Sequence, residues 1–348
     1  MIIIDGSVGE GGGQILRTSI ALSALTQKPI RINNIRSNRP KPGLAAQHLT
    51  SIKAVSMLCR GKTRGLDLGS TELDFTPGDL SGGTYELDIG TAGSITLVLQ
   101  ACLPVALRSP NPTTLSLKGG TDVKYSPPID YFKYVLKPIL EKMGAGIELK
   151  LIKRGYYPKG GGEVKIDIIP PDSGWKDLFL AEPEKFEKVH GIVHYANLPN
   201  HISRRIKSSA ISEFKNQFDN KKLELEIEQV SHSLSPGVGI TLWSKSPNTV
   251  IGSSALGERG IPAEKLAINA LKDLLTEIQV KATVDKYAAD QLLIYLAVCN
   301  RGCILARAPL STHAQTNIEV IETFFGKIFQ LKEQEKVIEI KRFENPEK

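Results

Sequence analysis

One pattern of apolar segments recurs three times along the 348-residue chain and restricts the folds that it can adopt. Each copy opens with a helix that is apolar on nearly all sides, as expected of a helix packed on a sheet. These helices are predicted at residues 13–25, at residues 93–106 and near residues 290–299. A strand follows each helix, at residues 29–35, 113–117 and 303–306. A longer amphipathic helix comes next, at residues 45–59, 128–143 and 317–330, with apolar residues three and four apart.

Further strand-like runs complete the first two copies. They lie at residues 66–75 and 83–89 in the first copy, and at residues 146–151 and 162–169 in the second. The unit is therefore β-α-β-α-β-β, present about three times and similar in pattern rather than in identity. We expect an α/β (α+β) fold built from three such repeats.

A segment of different character interrupts the third copy. It contains a predicted helix at residues 202–218 that is rich in lysine, arginine and serine, and it is preceded by the charged stretch at residues 176–188. Strands are predicted on both sides of this helix, and a second helix at residues 262–278. We predict a small α/β domain at residues 186–280, inserted into a large catalytic domain formed by residues 1–185 and 281–340.

Composition sets wide limits on partners and location. Lysine and arginine exceed the acids by 44 to 37, which permits an anionic partner without requiring one. No stretch approaches the roughly 18 apolar residues of a membrane span, and the N-terminus lacks the pattern of a signal peptide, so we expect no membrane partner. The four cysteines lie in apolar contexts without zinc-site spacing, which favours reduced thiols and a cytoplasmic location. The sequence carries no information on the oligomeric state.

Two triple-glycine tracts, at residues 11–13 and 160–162, are each followed by one polar and one aliphatic residue. Three consecutive glycines lose much backbone entropy on folding, so they indicate positive φ angles or a close approach to something bulky. Glu10 and Arg17 flank the first tract, and Arg154 and Lys159 flank the second. The tracts favour a polyphosphate or nucleic-acid site over the alternative, tight turns in a repeated fold.

His313 has the strongest local context of the six histidines. It follows a predicted strand and precedes a predicted helix whose start is marked by the capping box Thr316-x-x-Glu319. The positive end of a helix dipole would hold a phosphate and keep the imidazole neutral and nucleophilic. The alternative is a loop histidine with a structural hydrogen bond.

A proline-stiffened loop places Arg36, Arg39 and Lys41 within six residues. Because prolines limit the freedom of the loop, the guanidinium donors can be preset for phosphate oxygens. This pattern favours an anion site, and a merely solvated basic loop is the alternative.

Two helix starts combine acids with other polar groups. At the first, Glu10, Gln14 and Arg17 suit a triphosphate with its divalent metal, although Glu10 alone is also typical of an acid favoured by the helix dipole. At the second, Tyr287 could stack on a base and Asp290 could accept hydrogen bonds from ribose hydroxyls. Taken alone, Asp290 is better explained as a helix N-cap.

Together these motifs resemble one family, RNA 3′-terminal phosphate cyclase. The resemblance rests on residues 9–17, 39–44, 154–164, 289–292 and 313–318, which occur in the family's order between residue 2 and about residue 330. It implies a large domain of three repeats similar to the C-terminal domain of translation initiation factor 3, with a smaller inserted α/β domain. It also implies conversion of an RNA 3′-phosphate end to a 2′,3′-cyclic phosphodiester, with ATP consumed through a covalent histidine–AMP intermediate.

The resemblance assigns roles to individual residues. It implies that His313 is the nucleophile, that Glu10 binds Mg²⁺ or Mn²⁺, and that the remaining polar residues contact phosphates and nucleotide. The implied phosphate and RNA contacts are Gln14, Arg17, Arg36, Arg39 and Lys41, and the implied nucleotide site comprises Gln100, Pro128, Phe132, Tyr287, Ala288, Ala289, Asp290 and Gln291. The first glycine tract is expected to contact ATP or metal, and the second to serve mainly the fold.

Two rival functions share this architecture. A non-catalytic cyclase-like protein of ribosome assembly would keep the fold and bind RNA, but the combination of His313, Glu10 and Arg17 argues against it. An enolpyruvyl transferase is also built from such repeats, but its chemistry needs no covalent histidine.

Overall fold

The computed structural model describes residues 1–9, 11–172, 174–182, 185–186, 188–218 and 221–343. Four sheets of four strands each form the framework, and three of the sheets have the same topology. The first repeat comprises β1 (Ile2–Asp5), α1 (Gly13–Thr26), β2 (Ile30–Asn33), α2 (Ala46–Leu58), β3 (Lys62–Arg64) and β4 (Leu73–Thr76). Its strand order is β1-β2-β4-β3, with β1 parallel to β2 and the other pairs antiparallel.

The second repeat follows the same plan, with strand order β5-β6-β8-β7. Its elements are β5 (Gly83–Asp88), α3 (Ile95–Ala106), β6 (Thr113–Gly119), α4 (Ile129–Tyr131), a π-helical turn (Phe132–Leu136), α5 (Lys137–Lys142), β7 (Gly146–Lys153) and β8 (Gly162–Ile169). The long helix predicted at residues 128–143 is thus one helical stretch with a π-helical turn in its middle. Such turns occur frequently at functional sites.

The third repeat is interrupted after its first strand, β9 (Leu178–Leu180). The inserted elements are β10 (Lys188–Ala196), α6 (Asn200–Gln217), β11 (Lys222–Val230), β12 (Gly237–Lys245), β13 (Val250–Leu256) and α7 (Ala263–Gln279). The repeat then resumes with α8 (Lys286–Val298), β14 (Gly302–Arg307), α9 (Thr312–Phe325), β15 (Phe329–Gln334) and β16 (Val337–Arg342). Its strand order is β9-β14-β16-β15, so the predicted triple β-α-β-α-β-β fold is confirmed.

Two separate hydrophobic cores explain this organisation. One cluster of buried residues runs through all three repeats, because the largely apolar helices α1, α3 and α8 bury side chains in it from every repeat. A second cluster lies between α6, α7 and the sheet β11-β10-β12-β13. The domain limits at residues 185/186 and 280/281 stay a prediction.

Two predicted element assignments were wrong, and one strand was not predicted. The run at residues 83–89 is β5, the first strand of the second repeat, and the first repeat instead closes with β3 and β4. The charged stretch at residues 176–188 contains a strand, β9, which pairs with β14. The helix predicted at residues 317–330 begins at Thr312 and ends at Phe325, so residues 329–330 belong to β15. None of the described helices is both long and apolar enough to cross a bilayer.

Candidate functional site

A cavity of about 780 Å³ lies where the N-terminal turns of helices from all three repeats meet. Helices α1 and α2 contribute from the first repeat, α3 from the second, and α8 and α9 from the third. Strand β13 of the inserted segment supplies a further wall. Ten of the predicted site residues line this cavity: Gln14, Arg17, Arg36, Arg39, Gln100, Pro128, Tyr287, Asp290, Gln291 and His313.

Four predicted residues do not belong to this lining, and a fifth lies outside the described residues. Phe132, Ala288 and Ala289 are buried in the hydrophobic core. Lys41 is exposed outside the cavity lining. Glu10, the predicted metal ligand, lies outside the described residues. Their roles remain predictions.

His313 lies in the first turn of α9 and not in the loop before it. Ser311 is the N-cap, and its Oγ accepts a hydrogen bond of 3.0 Å from the Ala314 backbone N–H. The capping box predicted at Thr316 was therefore wrong, because the helix starts four residues earlier. His313 is half-buried on the cavity wall, and its carbonyl oxygen lies 3.5 Å from the Gln14 side-chain nitrogen. The imidazole thus shares the cavity with the positive end of its own helix.

The Arg17 guanidinium is a buried cation in the cavity wall, only 7% exposed. Its Nε donates a hydrogen bond of 2.9 Å to Gln100 Oε1, which fixes the orientation of the planar group. Burial lowers the pKa of Arg17 to about 10, while the nearby Asp290 carboxylate acts to raise it. Arg17 therefore stays charged at neutral pH. Because the guanidinium is buried, its electrostatic attraction for an anion is stronger than it would be in water.

The basic loop places two further guanidinium groups at the cavity. Arg36 has a φ of 54° and donates from Nη1 to the Gly43 carbonyl oxygen at 2.7 Å. Burial, and secondarily the charge of Arg39, lowers the pKa of Arg36, as expected where cations cluster. A Cβ at Gly12 would lie 2.9 Å from Arg39 Nη2, so this glycine lets the guanidinium approach the start of α1. Gly12 is the N-cap of α1 and caps it without a side chain, which leaves that helix end suited to an anion.

His48 also lines the cavity and was missed by the sequence analysis. Its Nδ1 accepts a 3.0 Å hydrogen bond from the Ala45 backbone N–H, so a neutral ring carries its proton on Nε2. Burial, together with the charges of Arg17 and Arg36, lowers the pKa of His48 to about 3. His48 is therefore a neutral hydrogen-bond donor beside Gly13. No local sequence signal distinguishes it from a core histidine.

A buried network beneath the cavity joins three helices. Thr18 on α1 donates to Asn317 Oδ1 at 2.7 Å, and Asn317 Nδ2 donates to the Asp290 carbonyl oxygen on α8 at 2.9 Å. Asn317 is one turn beyond His313 on α9, so both lie on the same side of the helix. This network holds His313 at a set position relative to α1 and α8.

Asp285 is the N-cap of α8 and contacts both tyrosines of the cavity, Tyr131 and Tyr287. Its Oδ1 accepts hydrogen bonds from the Tyr287 and Ala288 backbone N–H groups at 3.0 Å and from the Tyr131 hydroxyl at 2.6 Å. The Tyr131 and Tyr287 rings meet edge to face, with centroids 6.0 Å apart, and both line the cavity. The aromatic residue from the second repeat is thus Tyr131, whereas its predicted neighbour Phe132 points into the core. The predicted alternative of Asp290 as N-cap was wrong.

The second glycine tract lies away from this cavity, in the connection between β7 and β8. A Cβ at Gly161 would collide with Leu234 of the inserted segment. Arg154 is 2% exposed and pairs with Asp122, Asp130 and Glu228 at 2.7–3.2 Å. The second glycine tract and Arg154 therefore join the inserted segment to the second repeat.

Comparison with known proteins places the chain close to one group. The family model for RNA 3′-terminal phosphate cyclase matches residues 8–331. A protein of Pyrococcus furiosus named RNA 3′-terminal phosphate cyclase is 47% identical over 335 residues, which cover 95% of each chain. A protein of the same name from Nitrosospira multiformis is 45% identical over 97% of this chain and 95% of its own. Another from Hyperthermus butylicus is 44% identical over 92% of this chain and 91% of its own.

Proposed function

The chain belongs to the RNA 3′-terminal phosphate cyclase family, and from this premise we propose that it converts RNA 3′-phosphate ends to 2′,3′-cyclic phosphodiesters at the expense of ATP. One observation carries the proposal. His313 faces the same cavity as Arg17, Arg36 and Arg39, at the meeting point of the N-termini of α1 and α9. A nucleophile, a set of anion-binding cations and two helix dipoles are the requirements of nucleotidyl transfer.

In the first step the unprotonated imidazole nitrogen of His313 attacks the α-phosphorus of ATP. The P–N bond forms as the bond to the β,γ-phosphates breaks, and pyrophosphate leaves with its electron pair. Arg17 and the N-terminus of α1 lie on the same cavity wall and stabilise the charge that develops on the phosphate oxygens. Gln100 keeps the Arg17 guanidinium oriented.

In the second step an oxygen of the RNA 3′-phosphate attacks the phosphorus of His313-linked AMP, and the P–N bond breaks. In the third step the neighbouring 2′-hydroxyl attacks the activated 3′-phosphorus, AMP leaves, and the hydroxyl proton passes to solvent. The 3′-phosphate is dianionic and lacks a leaving group until it is adenylated. Arg36 and Arg39 line the cavity, and Lys41 follows them on the same loop. These three cations neutralise the charge of the 3′-phosphate and that of the attacking strand.

The proposed divalent ion, Mg²⁺ or Mn²⁺, binds hard oxygen ligands. The cavity offers the Asp290 carboxylate, which is 8% exposed, and the Gln14 side-chain amide, so the residues present fit such an ion. Glu10 is proposed as a further ligand and lies outside the described residues. When bound, the ion supplies positive charge to the triphosphate oxygens.

Incubation with ATP labelled at the α-phosphate tests the proposal. We expect acid-labile labelling of the wild-type protein at His313, located by mass spectrometry, and loss of the label in His313→Ala. His201→Ala is the matched control, because His201 is an exposed histidine on α6 and should leave labelling unchanged. An unlabelled wild-type protein that still binds RNA would support the non-catalytic alternative. Label that persists in His313→Ala would place the nucleophile elsewhere.

A further inference from the structure

Strand β13 is an edge strand of the inserted sheet, and its end reaches the proposed nucleotide cavity. It pairs with β12 along one edge, and Ser254, Ala255 and Leu256 are among the residues that line the cavity. All three residues are half-buried. An ion pair of 2.6 Å between Glu258 and Lys124 ties the end of this strand to the second repeat. The inserted segment is therefore part of the cavity wall.

The hydrogen bonds at both ends of β13 show which way its backbone faces. The Gly257 N–H donates to the Val238 carbonyl oxygen beside β12, whereas the Gly252 N–H donates away from that sheet, to Asp285 Oδ2 at 2.9 Å. Backbone groups alternate between the two sides of a strand. The N–H and C=O groups of Ser254 and Leu256 therefore lie on the Gly252 side. Among the described residues, no hydrogen bond from another element reaches them there.

Asp285 places this backbone edge next to the aromatic side chains of the cavity. The same carboxylate accepts hydrogen bonds from Gly252 on β13, from the Tyr131 hydroxyl and from the Tyr287 backbone N–H. The start of α8 and the edge of β13 are thus held side by side. A base stacked on the Tyr287 ring would present one of its edges to the backbone of β13.

We propose that the backbone of β13 reads the Watson–Crick edge of adenine, with the Ser254 carbonyl oxygen accepting from the exocyclic N6 amino group and the Leu256 N–H donating to N1. Residues two apart on one strand edge offer an acceptor and a donor with the spacing that this pair of atoms requires. Guanine presents the reverse, an acceptor at O6 and a donor at N1, so it leaves both backbone groups mismatched. This inference rests on the proposed use of ATP and assigns base selection to the inserted segment.

The test compares nucleotides and variants in the self-labelling reaction, with each nucleotide labelled at its α-phosphate. We expect the wild-type protein to react about tenfold more slowly with 1-deaza-ATP, which lacks the N1 acceptor, and with purine riboside triphosphate, which lacks the N6 amino group. Leu256→Pro removes the N–H at an edge position, where proline is tolerated. Leu256→Ala is the matched control that keeps the N–H.

Leu256→Pro should slow the reaction with ATP about tenfold and leave that with 1-deaza-ATP unchanged, whereas Leu256→Ala should keep the wild-type preference. Equal wild-type rates with all three nucleotides would overturn the inference, as would a preference lost equally in both variants. The analogue comparison on the wild-type protein decides the matter if the proline variant does not fold. An absence of labelling with every nucleotide would instead contradict the proposed function.

Discussion

Replacing Asn317 with alanine should strongly slow the proposed transfer of AMP to His313 while the protein stays folded. The side chain is 4% exposed and makes one hydrogen bond to α1 and one to α8, both shorter than 3.0 Å. Its removal leaves the buried Thr18 hydroxyl without this acceptor and the Asp290 carbonyl oxygen without this donor. Each such loss costs about 1–3 kcal/mol.

Two such losses sum to about 2–6 kcal/mol, and local compensation sets the total near the lower end of that sum. The Thr18 hydroxyl can turn to the carbonyl oxygen one helical turn before it, and the Asp290 carbonyl keeps its place in the helical ladder of α8. We therefore expect a loss of about 2–3 kcal/mol in the free energy of unfolding. A domain with ordinary stability of about 5–15 kcal/mol remains overwhelmingly folded after such a loss. Any large drop in the rate of AMP transfer must then come from a displaced His313 side chain and not from unfolding.

Urea unfolding and the rate of AMP transfer to His313 should be measured on the same preparations. A displacement of the nucleophile by about 1 Å can cost about 100-fold in rate, so we expect a drop of at least tenfold at saturating ATP. Thr18→Val is the matched control, because it removes one bond of the network and keeps the one from Asn317 to α8. A destabilised Asn317→Ala protein with the wild-type rate would refute the positioning role.

Two further predictions concern stability. Arg154→Met should lower the free energy of unfolding in urea by about 3–5 kcal/mol, because it leaves the buried carboxylates of Asp122 and Asp130 without their cation. Arg31→Met removes an exposed pair with Asp74 and should cost much less. Equal losses in the two variants would contradict the role of Arg154. Burial raises the pKa of Glu277 from 4.5 to about 7, helped by the nearby Asp285 charge and opposed by Arg307. The folded state therefore holds a proton that the unfolded chain releases, and stability falls by up to about 3 kcal/mol as pH rises from 4.5 through 7. Glu277→Gln should flatten this fall, and an unchanged pH profile of unfolding would contradict it.

The fold was largely predictable because each repeat buries helices in a shared core. Apolar periodicity reports such burial directly, which is why α1, α3 and α8 were found. The point at which one repeat ends and the next begins was predicted wrongly. Strands β3 and β9 have only three residues each, too few to show an alternation of apolar and polar residues. Strand β9 also lies in a charged stretch, since pairing with β14 and not its own composition makes it a strand.

The candidate site was predictable where a charged or nucleophilic side chain lies in a recognisable local sequence context. Arg17, the basic loop and His313 lie near segments that the sequence predicts to be helical, although the start of α9 was misplaced. His48, Tyr131 and the backbone of β13 reach the cavity only through tertiary packing, and their own segments look like ordinary core. Backbone groups are also invisible to residue-based reasoning, because every sequence carries them.

The two glycine tracts occupy different positions in the repeat, and this difference explains why only the first lies at the cavity. The first lies between the first strand and first helix of its repeat, so it opens onto the end where α1, α3 and α8 begin. The second lies between the last two strands of its repeat, at a connection of antiparallel β7 and β8. Ligands of sheets with parallel strands gather where those strands lead into helices. A glycine tract at a strand-to-helix junction can therefore admit an anion to a helix N-terminus. A tract between antiparallel strands, close to Leu234, can only admit a neighbouring part of the chain.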